Sequence, residues 1–247
     1  MKVNIVVMNR VVRHTLGYAA FTLLTVIQVH AQHYNCWLRT TIQTNVATKW
    51  RNDAELQLRR QSMGSDMNML EYRSLYSFRD WVYYSGSKHW RFGVSPVGYF
   101  GAYKTTMVAG DELIPIRKEY RVSAMAEYER TIYNKLKGSC RYAAESRWFD
   151  DGSYGLRERI RPGIHLDRGR AVGVSAYYEL LVNTIPTASS RLIDQHRVIL
   201  STLLSPGKNC KAELGLMYMR RYAGALPGHI NEANVVLNIS FGAMGKK

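Results

Sequence analysis

From Cys36 onward, apolar and polar residues alternate in one run after another. The stretch "YGLRERIRPGIHLD", residues 154–167, is representative. Leu156, Ile160 and Ile164 share one parity, and Arg157, Arg159 and Arg161 share the other. A period of two marks a β-strand with one apolar and one polar face. The same alternation predicts strands over 36–46, 50–60, 70–84, 88–102, 118–133, 138–149, 155–165, 170–183, 190–203, 209–221 and 229–241. Turn-forming runs such as "SGSK", "DDGSYG", "LDRGR" and "SPGKN" separate them. After the first thirty residues no long helical period interrupts the series.

Strand length narrows the architecture. Strands of soluble proteins average about five or six residues, whereas a tilted membrane-crossing strand needs about nine to eleven. Several of these strands are longer than that. Short connections alternate with longer ones at 61–69 and 103–117, as expected of a membrane barrel. The pattern predicts an all-β fold, an antiparallel up-and-down transmembrane β-barrel of about 10–12 strands. The strands read from the alternation come to an odd number, whereas single-chain bacterial barrels are even-numbered. One strand is therefore expected to be missing from the series, or the first not to span.

The two faces support the same picture. In 118–133, Tyr120, Val122, Ala124, Ala126 and Tyr128 oppose Arg121, Ser123, Met125, Glu127 and Glu129. The apolar face is small in the middle and aromatic toward the ends, which fits interfacial girdles. The charged faces carry both signs, which suits pairing inside an enclosed lumen. The expected network comprises Arg121, Glu127, Glu129, Arg141, Glu145, Arg147, Arg157, Arg159, Arg161, Glu179 and Arg197. Within it, Arg157, Arg159 and Arg161 face Glu145 and Glu179, with Glu127 and Glu129 a strand further away. Glu158 has the apolar parity, and a lipid-facing carboxylate is tolerated only near an interface. The alternative is a secreted soluble β-protein whose charged face is solvated.

The N-terminus and the charge bear on location. Lys2, Arg10 and Arg13 precede the apolar run "HTLGYAAFTLLTVIQV", which ends at "VHAQ". A basic start, an apolar run of about 14 residues and a small-residue site form a secretory signal, and the run is short of the ~20 needed to span. The expected domains are a cleaved signal peptide over 1–31 and an outer-membrane barrel over 32–247. Cleavage lowers the formal charge from +15 to +12. An exported chain does not meet nucleic acid, so this charge points to outer-membrane lipids and lipopolysaccharide phosphates of a Gram-negative cell. Cys36, Cys140 and Cys210 allow one disulfide, and spacing does not choose it. The oligomeric state stays open.

The order of motifs resembles a known family. "CWLRTTIQTNVATKWRNDAELQLRR" is followed by "EYRSLYSF", "RFGVSPVGYFGAY", "RYAAESRW", "LRERIRPG", "YYELLVN" and "QHRVILSTLL". This series resembles the DUF2490 family, uncharacterised outer-membrane β-barrel proteins of Bacteroidetes-type bacteria. Its more specific part is the Arg157-x-Arg159 strand, followed by Glu179 and then Arg197. The resemblance implies a location and a fold but supplies no reaction. Barrels of this type usually end on an aromatic residue, whereas here Phe241 is followed by "GAMGKK".

Nucleotide-loop, zinc-protease, CxxC and serine-elbow motifs are absent from the sequence. His196 and Asp194 share a parity, but no serine is placed beside them by spacing. No catalytic, cofactor-binding or metal-binding residue is therefore assigned. The expected function is a structural barrel or a narrow, anion-leaning channel, with an outer-membrane lipid-modifying hydrolase as the alternative.

Overall fold

The computed structural model describes residues 31–167, 172–187, 190–207, 209–223 and 228–242. The expected signal peptide lies outside the described residues, apart from Ala31. The strands are β1 (His33–Ala47), β2 (Trp50–Gln61), β3 (Tyr72–Tyr84), β4 (Trp90–Ala102), β5 (Arg117–Tyr133), β6 (Leu136–Phe149), β7 (Tyr154–Asp167), β8 (Val172–Ile185), β9 (Ser190–Gly207), β10 (Cys210–Ala223) and β11 (Ile230–Gly242). A single 3-10 turn at Asp111–Leu113 is the one helical element among the described residues. Each strand pairs with its chain neighbours, and β1 pairs with β11 to close the barrel.

Ten of the pairings are antiparallel, and β1–β11 is parallel. Each hairpin reverses the chain, so the first and last strands of an odd series point the same way. Eleven strands fall within the expected 10–12, and the expectation that one strand is missing or that the first does not span is corrected. No strand is missing from the series read there, and β1 runs the full height, pairing from His33 to Gln43 with β11. The closed ladder leaves no open backbone edge.

Polarity is inverted relative to a soluble barrel. Leu56, Phe92, Val122, Ile160 and Ile164 are exposed on the outside, while Glu55, Arg121, Glu145, Arg157 and Glu179 are buried inside. Outward-facing aromatic pairs ring both ends. Trp50–Tyr84 and Trp90–Tyr128 lie at the end with the short turns, with centroids 4.9 and 5.1 Å apart. Tyr99–Tyr120 and Trp148–Tyr154 lie at the end with the long loops, 5.3 and 5.5 Å apart. Tyr120 and Tyr128 are about 26 Å apart along the strand, or ~20 Å along the axis at the usual tilt.

Two local features break the regular ladder. Pro96 cannot donate a ladder hydrogen bond, and it falls where the β4–β5 register shifts between Ser95 and Gly98. Gly163 leaves room for a side chain to cross it, since a Cβ there would stand 2.1 Å from the Tyr177 ring. Glu158 corrects the expectation of a position near an interface. It faces outward between Ala144 and Val182, four residues inside Tyr154 and well within the apolar band. The Tyr142 side chain on β6 is a neighbour on the same face.

Candidate functional site in the barrel interior

The inward parity of six strands, β4 to β9, brings these charges together. Glu145 on β6 and Arg157 on β7 are register partners, and Arg157 donates to it at 2.6 Å. Glu145 also takes Arg159 at 2.9 Å and Arg121 at 3.3 Å, so one carboxylate that is 1% exposed meets three guanidinium groups. Glu179 on β8 takes Arg159 at 2.6 Å and Arg197 at 2.8 Å. Glu119 on β5 takes Arg121 at 2.7 Å and Arg147 at 2.8 Å. Glu127 takes Arg141 at 3.2 Å and also Arg91. Arginine suits such sites because its planar fork stays charged and binds carboxylates at two points.

Three sequence expectations change. Glu129 has the inward parity but lies at the barrel rim, where it is exposed and meets Lys137 at 3.3 Å. It is not part of the interior network. Arg161 sits inside but has no carboxylate partner among the described residues; its guanidinium lies over the Tyr177 ring at 5.1 Å. Tyr177 reaches that position by crossing Gly163. Asp194 does not share the outward face of His196. The β8–β9 register shifts so that Leu181 faces Gln195 and Val182 faces Ile193. The intervening Asp194 turns inward and accepts from Arg157 at 2.9 Å. His196 remains outside, bonded to the Tyr178 hydroxyl at 2.5 Å.

Other interior charges were legible but not assembled. Glu119 shares parity with Arg121, and Glu55 and Arg59 share parity along β2. Arg79 bonds Glu55 at 2.6 Å. Trp37, Trp81 and Phe100 are buried inside, against the trend of the outward aromatics. They serve as platforms for cations: Arg59 lies over Trp37 at 3.5 Å, and Arg121 over Phe100 at 3.7 Å.

The interior holds two cavities of about 270 and 250 Å³, one toward the long loops and one toward the short turns. Arg39, Arg79, Arg159, Arg161, Glu179 and Glu213 line both, so these charged side chains form a waist between them. Cys36, Cys140 and Cys210 are all free thiols. Among the described residues no group of His, Cys, Asp and Glu side chains is arranged to hold a metal ion.

Fold and interior together define a closed β-barrel with an ion-paired arginine–glutamate core. Residues 34–225 match the family model "Protein of unknown function (DUF2490)", and the chain belongs to that family. No curated protein matches the chain in sequence. Among solved structures, the anion-selective porin from Comamonas acidovorans is similar at a TM-score of 0.36 and 14% identity, covering 79% of this chain and 53% of the porin. The chain thus spans about half the length of that protein.

Proposed function

We propose that this protein is an exported outer-membrane barrel whose interior is a narrow aqueous path favouring anions. The observation that carries the reading is the inverted polarity: charge is packed inside a closed barrel, and an apolar band is presented outside between two aromatic rings. Water does not stabilise such an exterior, whereas a bilayer core does. A bilayer also requires every backbone group to be paired within the fold, which closure achieves. The same polarity argues against a secreted soluble protein.

Narrowness follows from strand number and filling. Eight-stranded barrels are filled by side chains, and sixteen-stranded ones hold wide channels. Eleven strands lie between these, and the waist crosses the interior. Fixed positive charge on the path lowers the cost of an anion relative to a cation. Membrane lipids surround the apolar band in this reading. Exposed basic residues outside the band, such as Lys118, meet lipopolysaccharide phosphates. Export rests on residues 1–31, so the mature chain begins at Gln32, which N-terminal mass spectrometry of membrane fractions reads directly.

Planar-bilayer recording under a potassium chloride gradient tests the channel. Small, stable conductance steps with a reversal potential on the chloride side are expected. Absence of steps above the bare-lipid baseline would leave a purely structural barrel.

A further inference from the structure

The two cavities differ in charge. Ten arginines and three glutamates line the cavity at the long-loop end, against seven arginines and five carboxylates in the other. Partners outside the lining reduce the excess without removing it. Six carboxylates pair with eight of the ten arginines: Glu55, Glu119, Glu145, Glu179, Asp194 and Glu232. Glu213 is a seventh nearby carboxylate, and it bonds Ser201 and Asn238 instead. Ten cations thus meet seven anions, and three positive charges remain.

Part of the excess falls on cations that stand outside the ion pairs. Arg59 and Arg161 have no carboxylate partner among the described residues. Among the described residues the Arg59 side chain donates to the Gln57 amide oxygen at 3.1 Å. The charges acting on it most strongly are Arg197, Arg221, Arg121 and Arg79, all cations. Arg59 Nε and Arg221 Nε are buried donors with no acceptor among the described residues. Leaving such groups unpaired costs free energy, so they call for an acceptor from water or from a ligand, and an anionic oxygen is the stronger one. The forks are also held in place: Arg59 and Arg197 lie over the Trp37 ring at 3.5 and 5.4 Å. Pre-placed guanidinium planes lose little freedom on binding.

We propose that the long-loop cavity is a binding station for a small multivalent oxyanion of the phosphate type, gripped by Arg59, Arg161 and Arg221. A monovalent halide neutralises one charge and offers no directional acceptors. A phosphate or diphosphate group offers two or more charges and several oxygens to bidentate forks. The volume limits the bound part to a small head, below the ~300 Å³ at which drug-sized sites begin. The station rests on the channel reading only for how the anion arrives.

Calorimetry of the refolded barrel in detergent, with sodium pyrophosphate as the probe, tests this. Saturable one-to-one binding that weakens as salt rises is expected, at least tenfold tighter than chloride. Arg59→Gln and Arg161→Gln should each weaken it tenfold or more, while Arg130→Gln, at an exposed site, should not. Absence of saturable binding by the wild type overturns the station, as does wild-type affinity in both lumen variants. If Arg59→Gln does not fold, judged by the gel shift on boiling, Arg161→Gln and the wild-type comparison of pyrophosphate with chloride decide alone. Binding without conductance would retain the station and remove the channel; conductance without binding would do the reverse.

Discussion

Arg159 donates to Glu179 at 2.6 Å from the adjacent strand, and its other nitrogen reaches Glu145 at 2.9 Å. One guanidinium thus ties β6, β7 and β8 together across the interior. Breaking a buried pair from one side costs about 3–5 kcal/mol, and an exposed pair under about 1. Glu179 is 3% exposed, and its removal also strips Arg197 of its carboxylate. Glu179→Ala is expected to lower stability by roughly 2–3 kcal/mol, and Arg159→Ala by a similar amount. The double variant should lose less than the sum by about 1 kcal/mol or more. Urea titration of the folded barrel measures all three. Additive losses below about 0.5 kcal/mol each would mean these are ordinary solvated side chains.

The parallel seam is open to a covalent test. Cys36 and Val235 are register partners on β1 and β11. Adjacent strands run about 4.8 Å apart, within the ~4.4–6.8 Å range of Cα separations that disulfides span. Val235→Cys is therefore expected to cross-link to Cys36 under mild oxidation, detected as a linked peptide pair by mass spectrometry. Adding Cys36→Ser should abolish the link. A folded barrel that stays unlinked would contradict this closure.

Glu158 separates a lipid-facing exterior from a wet one. In a bilayer a mid-band carboxylate opposes folding, though by less than the ~2–4 kcal/mol of a basic residue. Glu158→Leu is expected to stabilise the barrel in lipid vesicles by about 1–2 kcal/mol. A neutral or negative effect in vesicles would argue that water bathes this face.

Asp111 governs the long loop between β4 and β5. Its Oδ2 accepts the backbone N–H of Met107 at 2.9 Å and of Val108 at 3.1 Å, and Oδ1 meets Lys104 Nζ at 2.7 Å. The lysine contact, then these amide bonds, hold the carboxyl down at about 2. The folded value lies below the ordinary ~3.9, so the stabilisation is fully present above ~4 and is lost as pH falls toward 2. Amide exchange at Met107 and Val108, corrected for intrinsic rate, should stay slow from neutral pH to about 4 and quicken below it. Asp111→Asn should quicken it throughout. Loss of protection in the wild type already at pH ~5–6 would exclude Asp111 as the anchor.

The barrel was legible because its signal is local. Arg157, Arg159 and Arg161 share a face by backbone geometry alone, whatever they pair with, and Leu156 and Ile160 follow on the other. Tyr120 and Tyr128 marked the aromatic ends for the same reason. Asp194 was not legible: parity places it beside His196, and only the β8–β9 register shift turns it toward Arg157. Glu129 kept its parity, but parity carries no height, and height puts it at the rim.

By itself the sequence determined the strands, their two faces and the gathering of arginine and glutamate on one of them, since a period of two is written residue by residue. Tertiary structure alone decided the parallel join of β1 to β11, the placing of Trp37 and Phe100 under arginines, and which cations lack a carboxylate. Those depend on register and closure, where a shift of one residue in one strand changes the neighbours of every side chain across it.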